Sequence, residues 1–166
     1  IINSKINGNL NLFIKKIYTD SKLVKSLESR IQFRNKDIII DQMLFDLGKL
    51  GAADITGQIK NKDDKINFYF KKNLFIDKPK YFYSKFGIYN KKREPEDLYA
   101  SGKFNFYKAL IDFDELIVGS PLNKDDVLFY EQEFNQTLLE EGFKTLLDFI
   151  QLKEFVKLAS TTENQP

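Results

Sequence analysis

The chain has 166 residues, of which 42% are hydrophobic and 30% charged, a composition that suits one globular domain with a real core. Its 26 basic and 24 acidic residues nearly balance, so its electrostatics give little reason to expect a nucleic-acid partner. It contains no cysteine and no histidine, which excludes thiol chemistry, disulfides, imidazole bases and the usual zinc ligands.

Alternating apolar residues predict a series of strands in the first part of the chain. One parity is mostly apolar over residues 6–14, 27–33, 38–47 and 53–59. Since a strand turns successive side chains to opposite faces, each of these segments would have one apolar face. Polar or glycine-containing turns separate them, so we expect antiparallel strands joined by short connections.

Between Lys65 and Lys108 the same alternation occurs three times. Its apolar members are, in chain order, Ile66, Phe68, Phe70, Phe82, Phe86, Ile88, Ala100, Phe104 and Phe106. Tyrosine and polar residues occupy most of the positions between them. The pattern predicts three strands that share one apolar and one wet face. Pro79 is expected to end the first of them, because a strand interior needs the backbone donor that proline lacks.

From Ser120 the apolar residues follow the period of a helix. Either Ser120, which precedes Pro121, or Asn123 is expected to cap the helix N-terminus. Apolar residues then recur every three or four positions from Val127 onward. Gly142 is expected to separate two helices rather than lie inside one.

Together these patterns predict a mainly β fold with C-terminal α structure. We expect a twisted or curved antiparallel sheet of repeated amphipathic strands over residues 1–119. Two or three helices over residues 120–159 would cap the same domain, and residues 160–166 would form a disordered tail. No run of apolar residues approaches the roughly 18 that a membrane-spanning helix needs.

No catalytic motif occurs in the chain, and we predict no catalytic residue, no metal site and no cofactor. Asp112, Asp114 and Glu115 are the acidic residues that most invite a catalytic interpretation, since paired carboxylates can divide acid and base roles. In a strand, however, Asp112 and Asp114 would point to one side and Phe113 to the other, which favours an exposed polar face. A carboxylate enzyme remains an alternative, and it requires one of these acids in a cleft opposite another acid.

The apolar face of the predicted sheet admits two interpretations. It is either covered by the C-terminal helices or left partly open as a trough that accepts acyl chains. The alternation is identical in both cases. The residues that would face lipid in such a groove are Ile66, Phe68, Phe70, Phe82, Phe86, Ile88, Phe104 and Phe106.

Two segments resemble proteins of the AsmA-like family, of the AsmA, TamB and YhdP type. Leu47–Ile59 is an apolar strand end followed by small residues and a Gly-x-Ile strand, and it is similar to a repeat unit of that family. Leu122–Phe134, continuing into Gly142–Phe149, resembles a helical ending of AsmA-like proteins. The chain also begins at Ile1 within a strand pattern, so we expect it to be the C-terminal region of a longer protein.

The resemblance implies a non-enzymatic protein of the Gram-negative cell envelope. Its parent would be anchored in the inner membrane through a segment outside this chain, with a β-rich body on the periplasmic face. The family resembles bridge-like lipid carriers, which implies a role in outer-membrane biogenesis or intermembrane phospholipid transport. The implied partner is a phospholipid or other acyl lipid, and no protein partner is specified. The alternative is a structural or protein-interaction β module with a closed core and no ligand.

Overall fold

An antiparallel meander makes up most of the computed structural model, which describes residues 5–18, 23–62, 65–89 and 94–141. Its eight strands hydrogen-bond in chain order. They are β1 (Gly8–Ile14), β2 (Ser26–Arg34), β3 (Asp37–Asp46), β4 (Gly51–Lys62), β5 (Lys65–Ile76), β6 (Glu96–Asn105), β7 (Leu110–Val118) and β8 (Ser120–Pro121). Two α-helices accompany the sheet, α1 (Pro79–Ser84) after β5 and α2 (Lys124–Glu141) after β8. The predicted mainly β fold with C-terminal α structure is confirmed.

Local chemistry at the turns explains why the first strands form hairpins. Asn35 and Lys36 join β2 to β3, and both have positive φ (50° and 77°), as a two-residue hairpin turn that matches strand twist requires. A single 3-10 turn (Gly48–Leu50) joins β3 to β4. The two-residue turn fixes the pairing of Phe33 with Ile38.

The register places the apolar residues of β1 to β7 on one side of the sheet, which we name the apolar face. Its members include Leu10, Leu12, Ile31, Phe33, Ile38, Ile40, Met43, Ile55, Ile59, Ile66, Phe68, Phe70, Leu74, Leu98, Phe104, Ile111, Phe113 and Leu116. Charged, amide and tyrosine side chains predominate on the opposite side, the polar face. A bulge in β3 and another in β7 shift the register without exchanging the two faces.

Two glycines of the apolar face lie where neighbouring strands leave no room for a side chain. A Cβ at Gly57 would come within 2.2 Å of the Tyr69 carbonyl oxygen, and one at Gly102 within 2.2 Å of the Asp112 carbonyl oxygen. Both glycines lie directly opposite Phe70, on either side of it. They permit a close approach of the backbones of neighbouring strands.

The hydrophobic core lies at one end of the apolar face. Its buried members are Leu23, Val24, Leu47, Leu74, Ile76, Phe82, Tyr83, Leu98, Leu116, Val118 and Tyr130. The Tyr83 hydroxyl donates a hydrogen bond of 2.7 Å to the buried Glu96 carboxylate. Helix α1 thus supplies much of the cover for this end of the sheet.

Helix α2 runs along β7 and satisfies backbone groups at that edge. Asn135 Oδ1 accepts a hydrogen bond from the Ile111 N–H (2.8 Å), and Asn135 Nδ2 donates one to the Ile111 carbonyl (2.9 Å). Glu131 Oε2 accepts a third from the Phe113 N–H (2.9 Å). The helix therefore substitutes for a further strand beside β7.

The structure corrects the prediction that Phe82, Phe86 and Ile88 form a strand. Pro79 begins α1 at the first helical position, and Phe82 lies in that helix. Phe82 and Phe86 are four residues apart, which is helical spacing, and their ring centroids are 5.3 Å apart. Phe86 and Ile88 follow the helix in a turn and the segment after it.

The structure also corrects part of the prediction for the start of the C-terminal helix. Ser120 and Pro121 pair with β7 as the short strand β8 rather than beginning the helix. Asn123 is the cap, since its Oδ1 accepts a hydrogen bond of 2.9 Å from the Asp126 N–H. Gly142, the helices predicted beyond it and the tail at 160–166 lie outside the described residues.

Candidate functional site

The apolar face divides into a covered end and an open region. Helix α1 and the first turns of α2 cover the end that holds Leu74, Leu98 and Leu116. Farther from these helices, most apolar side chains of β1 to β5 are exposed or half-buried, although Ile40 of β3 is buried. We name this surface the open region, and its members are Leu10, Leu12, Ile31, Phe33, Ile38, Ile55, Ile59, Ile66, Phe68 and Phe70.

Exposure in the open region is greatest at the β1 edge. Leu10 is 44% exposed and Leu12 is 39% exposed, although both belong to the apolar parity of their strand. The described part of α2 packs chiefly against β7, and α1 packs on the 3-10 turn that precedes β4. The described helices therefore leave the open region largely uncovered.

The predicted lipid-facing residues separate into three groups. Ile66, Phe68 and Phe70 lie on β5 within the open region. Phe104 lies on the apolar face of β6 but is only 6% exposed, and Phe106 follows β6 in a turn. The structure brings Phe106 to Phe104, with ring centroids 5.0 Å apart.

Phe82, Phe86 and Ile88 do not line the open region. Phe82 is fully buried in the core, and Phe86 and Ile88 pack against that core. They belong to the cover over one end of the sheet. Their assignment to a groove followed from the strand prediction that the structure corrects.

A row of aromatic rings connects the open region with α2. Phe68 contacts Phe70 at a centroid distance of 5.7 Å, and Phe70 contacts Phe113 at 6.3 Å in an edge-to-face arrangement. Phe113 in turn meets Phe134 of α2 at 5.5 Å. The edge-to-face pairs Phe70–Phe113 and Phe113–Phe134 add to the stability gained from burial alone.

Sequence reasoning missed the contribution of β1 to β4 to the site. It assigned these strands correctly but named no lipid-facing residue before Ile66. The signal that identifies them is the hairpin register, because a two-residue turn at 35–36 puts Phe33 opposite Ile38 and thus on the same face. The same argument extends through Ile59 to Phe68 on β5.

Polar residues interrupt the apolar face at several positions, among them Lys72 and Ser29. Lys72 is half-buried between Ile55 of β4 and Ala100 of β6. No ion pair or hydrogen bond joins its ammonium to the parts of the chain that the structure describes, and burial lowers the pKa of Lys72. Ser29 on β2 is buried, and its hydroxyl has no hydrogen-bond partner among the described residues.

The acidic cluster on β7 lacks the features of a catalytic pair. Asp112 and Asp114 are both exposed on the polar side of the sheet. The Asp112 carboxylate lies 2.7 Å from Lys103 Nζ, and this hydrogen bond and the charge of Asp112 raise the pKa of Lys103. The carboxylate-enzyme alternative requires one of these acids to lie in a cleft, whereas both are exposed. Within the described ranges, no three acidic side chains gather as they would to hold a metal ion.

The open region is suited chemically to bind an apolar chain. Its side chains offer contact without donors or acceptors, and burial of apolar surface is favourable by about 25 cal/mol per Å². No helix in the described ranges is both long and apolar enough to cross a membrane. No protein-family model, curated protein or solved structure matches this chain.

Proposed function

We propose that the chain is a non-enzymatic, AsmA-like module of a Gram-negative cell envelope that shields acyl chains on the open region of its apolar face. In this proposal it assists outer-membrane biogenesis or phospholipid transport between membranes from the periplasmic side. The segment resemblance described above motivates the cellular setting. The observation that carries the binding function is the uncovered part of the apolar face.

The extent of the open region supports an elongated ligand. Its row from Phe33 through Ile38 and Ile59 to Phe68 crosses four strands. At about 4.8 Å between neighbouring strands, such a row is roughly 14 Å long, which matches a substantial part of an acyl chain. Each methylene removed from water contributes about 0.8 kcal/mol, so several methylenes together give useful affinity without any hydrogen bond.

A closed structural or protein-interaction module is the second candidate. The core that contains Phe82, Leu74 and Leu116 supports it, because these side chains are at most 3% exposed at that end of the apolar face. The two functions make different predictions for the open region only. A module with no ligand would tolerate polar residues there without losing any binding.

Native mass spectrometry of the chain after incubation with phospholipid tests the proposal. We expect lipid adducts on the wild-type chain, and about tenfold weaker binding in a double variant with Phe33→Asn and Ile59→Asn. The matched control replaces the next residue of each strand, Arg34→Asn and Lys60→Asn, on the polar face. This control should bind lipid like the wild type.

Circular dichroism would establish that each variant is folded before its binding is compared. Equal lipid binding in the two double variants would contradict a role for the open region. Absence of lipid from a folded wild-type chain would favour the closed module.

A further inference from the structure

Among strands β1 to β7, Lys72 is the one basic residue whose register places it on the apolar face. It lies on β5, where the open region meets the covered end of the sheet. Phe70, which precedes it on the same face, belongs to the open region, and Leu74, which follows it, is buried in the core. The ammonium of Lys72 therefore belongs to a boundary between bare apolar surface and packed core.

The strand neighbours of Lys72 on this face have no side chain that accepts a hydrogen bond. Ile55 and Ala100 lie directly opposite it on β4 and β6, and the diagonal positions on those two strands are alanine, glycine and leucine. No ion pair or hydrogen bond joins the Lys72 ammonium to the described residues, and burial lowers its pKa. On the polar face of β6, by contrast, Lys103 Nζ lies 2.7 Å from the Asp112 carboxylate.

An unpaired cation in this place costs free energy that an apolar residue would not cost, because the charged group loses water without gaining a partner. Departures from the local pattern that lower stability are expected at functional sites. The group that would complement the Lys72 ammonium is an anion, and it would approach across the apolar surface of the open region. An anionic lipid combines the two features, a charged headgroup and apolar chains.

We propose that Lys72 binds the headgroup phosphate of an anionic phospholipid whose acyl chain lies on the open region. From Lys72, the side chains of Phe70, Phe68 and Ile66 continue the apolar surface along β5 for about 20 Å, at about 3.4 Å per residue. This length accommodates most of an extended acyl chain. The inference rests on the proposed lipid-binding function and adds the charge of the headgroup to it.

Two phospholipids with the same acyl chains test the headgroup preference. Phosphatidylglycerol has a net negative charge, whereas phosphatidylcholine carries a cation beside its phosphate. When an equal mixture of the two is offered to the wild-type chain in native mass spectrometry, we expect phosphatidylglycerol to bind about tenfold more tightly. Lys72→Met should abolish this preference by weakening the binding of phosphatidylglycerol, and it should leave the binding of phosphatidylcholine unchanged.

The matched control is Lys71→Met, which removes the same charge from the preceding residue, on the polar face of β5. It should keep the preference for phosphatidylglycerol, and so should Lys72→Arg, which retains a cation at the site. Lys72→Met is expected to fold, because it replaces a half-buried charge with an apolar side chain of similar volume. A preference that Lys72→Met leaves unchanged would overturn the proposal.

The outcomes separate this proposal from the proposed lipid binding. Equal affinity of the wild-type chain for the two lipids would overturn the headgroup role of Lys72 and leave lipid binding intact, whereas a folded wild-type chain that binds neither lipid would contradict both. Glycerol phosphate, which has the anionic group without acyl chains, distinguishes a lipid headgroup from a free phosphate ester. At equal concentration it should not displace phosphatidylglycerol, and displacement would overturn the assignment of the site to a lipid.

Discussion

Lys72 lies among apolar side chains, with Ile55 and Ala100 opposite it on the two neighbouring strands. Burial lowers the pKa of its ammonium from the ordinary value of 10.5, so the unfolded chain binds more protons than the folded chain between the two pKa values. The free energy of unfolding should therefore rise with pH through that window. Below the lowered pKa, the cost of burying the charge is present in full.

The first prediction is that Lys72→Met stabilises the chain at pH 7, by on the order of 1 kcal/mol, because an apolar side chain of similar volume replaces a half-buried charge. The variant should also lose the rise in stability that Lys72 causes at alkaline pH. Urea unfolding at several pH values measures both effects. The control is Lys71→Met on the exposed polar face, and an equal gain from the two substitutions would contradict this account of Lys72.

Tyr83 and Glu96 form a buried hydrogen bond that no pattern in the sequence identifies, since the residues come from a helix and a strand. The second prediction is that Tyr83→Phe lowers the free energy of unfolding by about 1–3 kcal/mol, because it removes a donor from a buried carboxylate. Urea unfolding measures the loss. Tyr81→Phe removes the hydroxyl of a tyrosine that is 60% exposed and should have little effect. A Tyr83→Phe variant as stable as this control would contradict the prediction.

Glycine positions illustrate what could be predicted at the scale of single residues. The alternation places Gly8, Gly57, Gly87 and Gly102 inside strand patterns, which predicts a bulge or a close backbone approach at each. Contacts of 2.2 Å at an added Cβ confirm a close approach at Gly57 and Gly102, whereas nothing lies within 4 Å of an added Cβ at Gly8 or Gly87. Lys72 could have been placed on the apolar face from parity alone. Parity could not predict that the Lys72 ammonium lacks a partner among the described residues, because this depends on which side chains surround Lys72 in three dimensions.

At the scale of elements, side chains of α2 hydrogen-bond to the backbone of β7, as a neighbouring strand would. The third prediction is that Asn135→Ala lowers the free energy of unfolding by about 1–3 kcal/mol, since both polar groups of Ile111 lose their partner. Amide hydrogen exchange should accelerate at Ile111 in particular. Gln136→Ala, next to it and exposed, is the control. Unchanged exchange at Ile111 in the Asn135→Ala variant would contradict the edge role of α2.

The sequence pattern predicted the strands more successfully than the segment between β5 and β6. Five of the strands, β1, β2, β4, β5 and β6, have an unbroken two-residue alternation. The connections from β2 to β3, β3 to β4, β4 to β5 and β6 to β7 are short enough for parity to carry from one strand to the next. The segment from Pro79 to Ile88 has apolar spacings that fit both a strand and a helix. Phe82 is buried in the core that also holds Leu74 and Leu116, and this tertiary packing, which favours the helix, is not visible in the local pattern.

At the scale of the whole molecule, the alternation of apolar residues predicts an apolar face but cannot say how much of it is covered. Both Leu98, which is buried in the core, and Leu10, which is 44% exposed, belong to the apolar parity of their strands. The difference arises because α1 and α2 lie over one end of the sheet, whereas Leu10 lies on the edge strand β1, away from the described helices. Coverage depends on where the helices dock, so the open region became visible only in the folded chain.

The central claim is that the open region, and not the polar face, contacts acyl chains. The chain contains no tryptophan, so a single substitution introduces a selective fluorophore on either face of β5. Phe68→Trp places it in the open region, and Tyr69→Trp places it at the next residue on the polar face. Titration with a brominated phospholipid, which quenches tryptophan on contact, should strongly reduce the fluorescence of the Phe68→Trp variant and leave the Tyr69→Trp variant unchanged. Equal quenching of both variants, or of neither, would contradict the account.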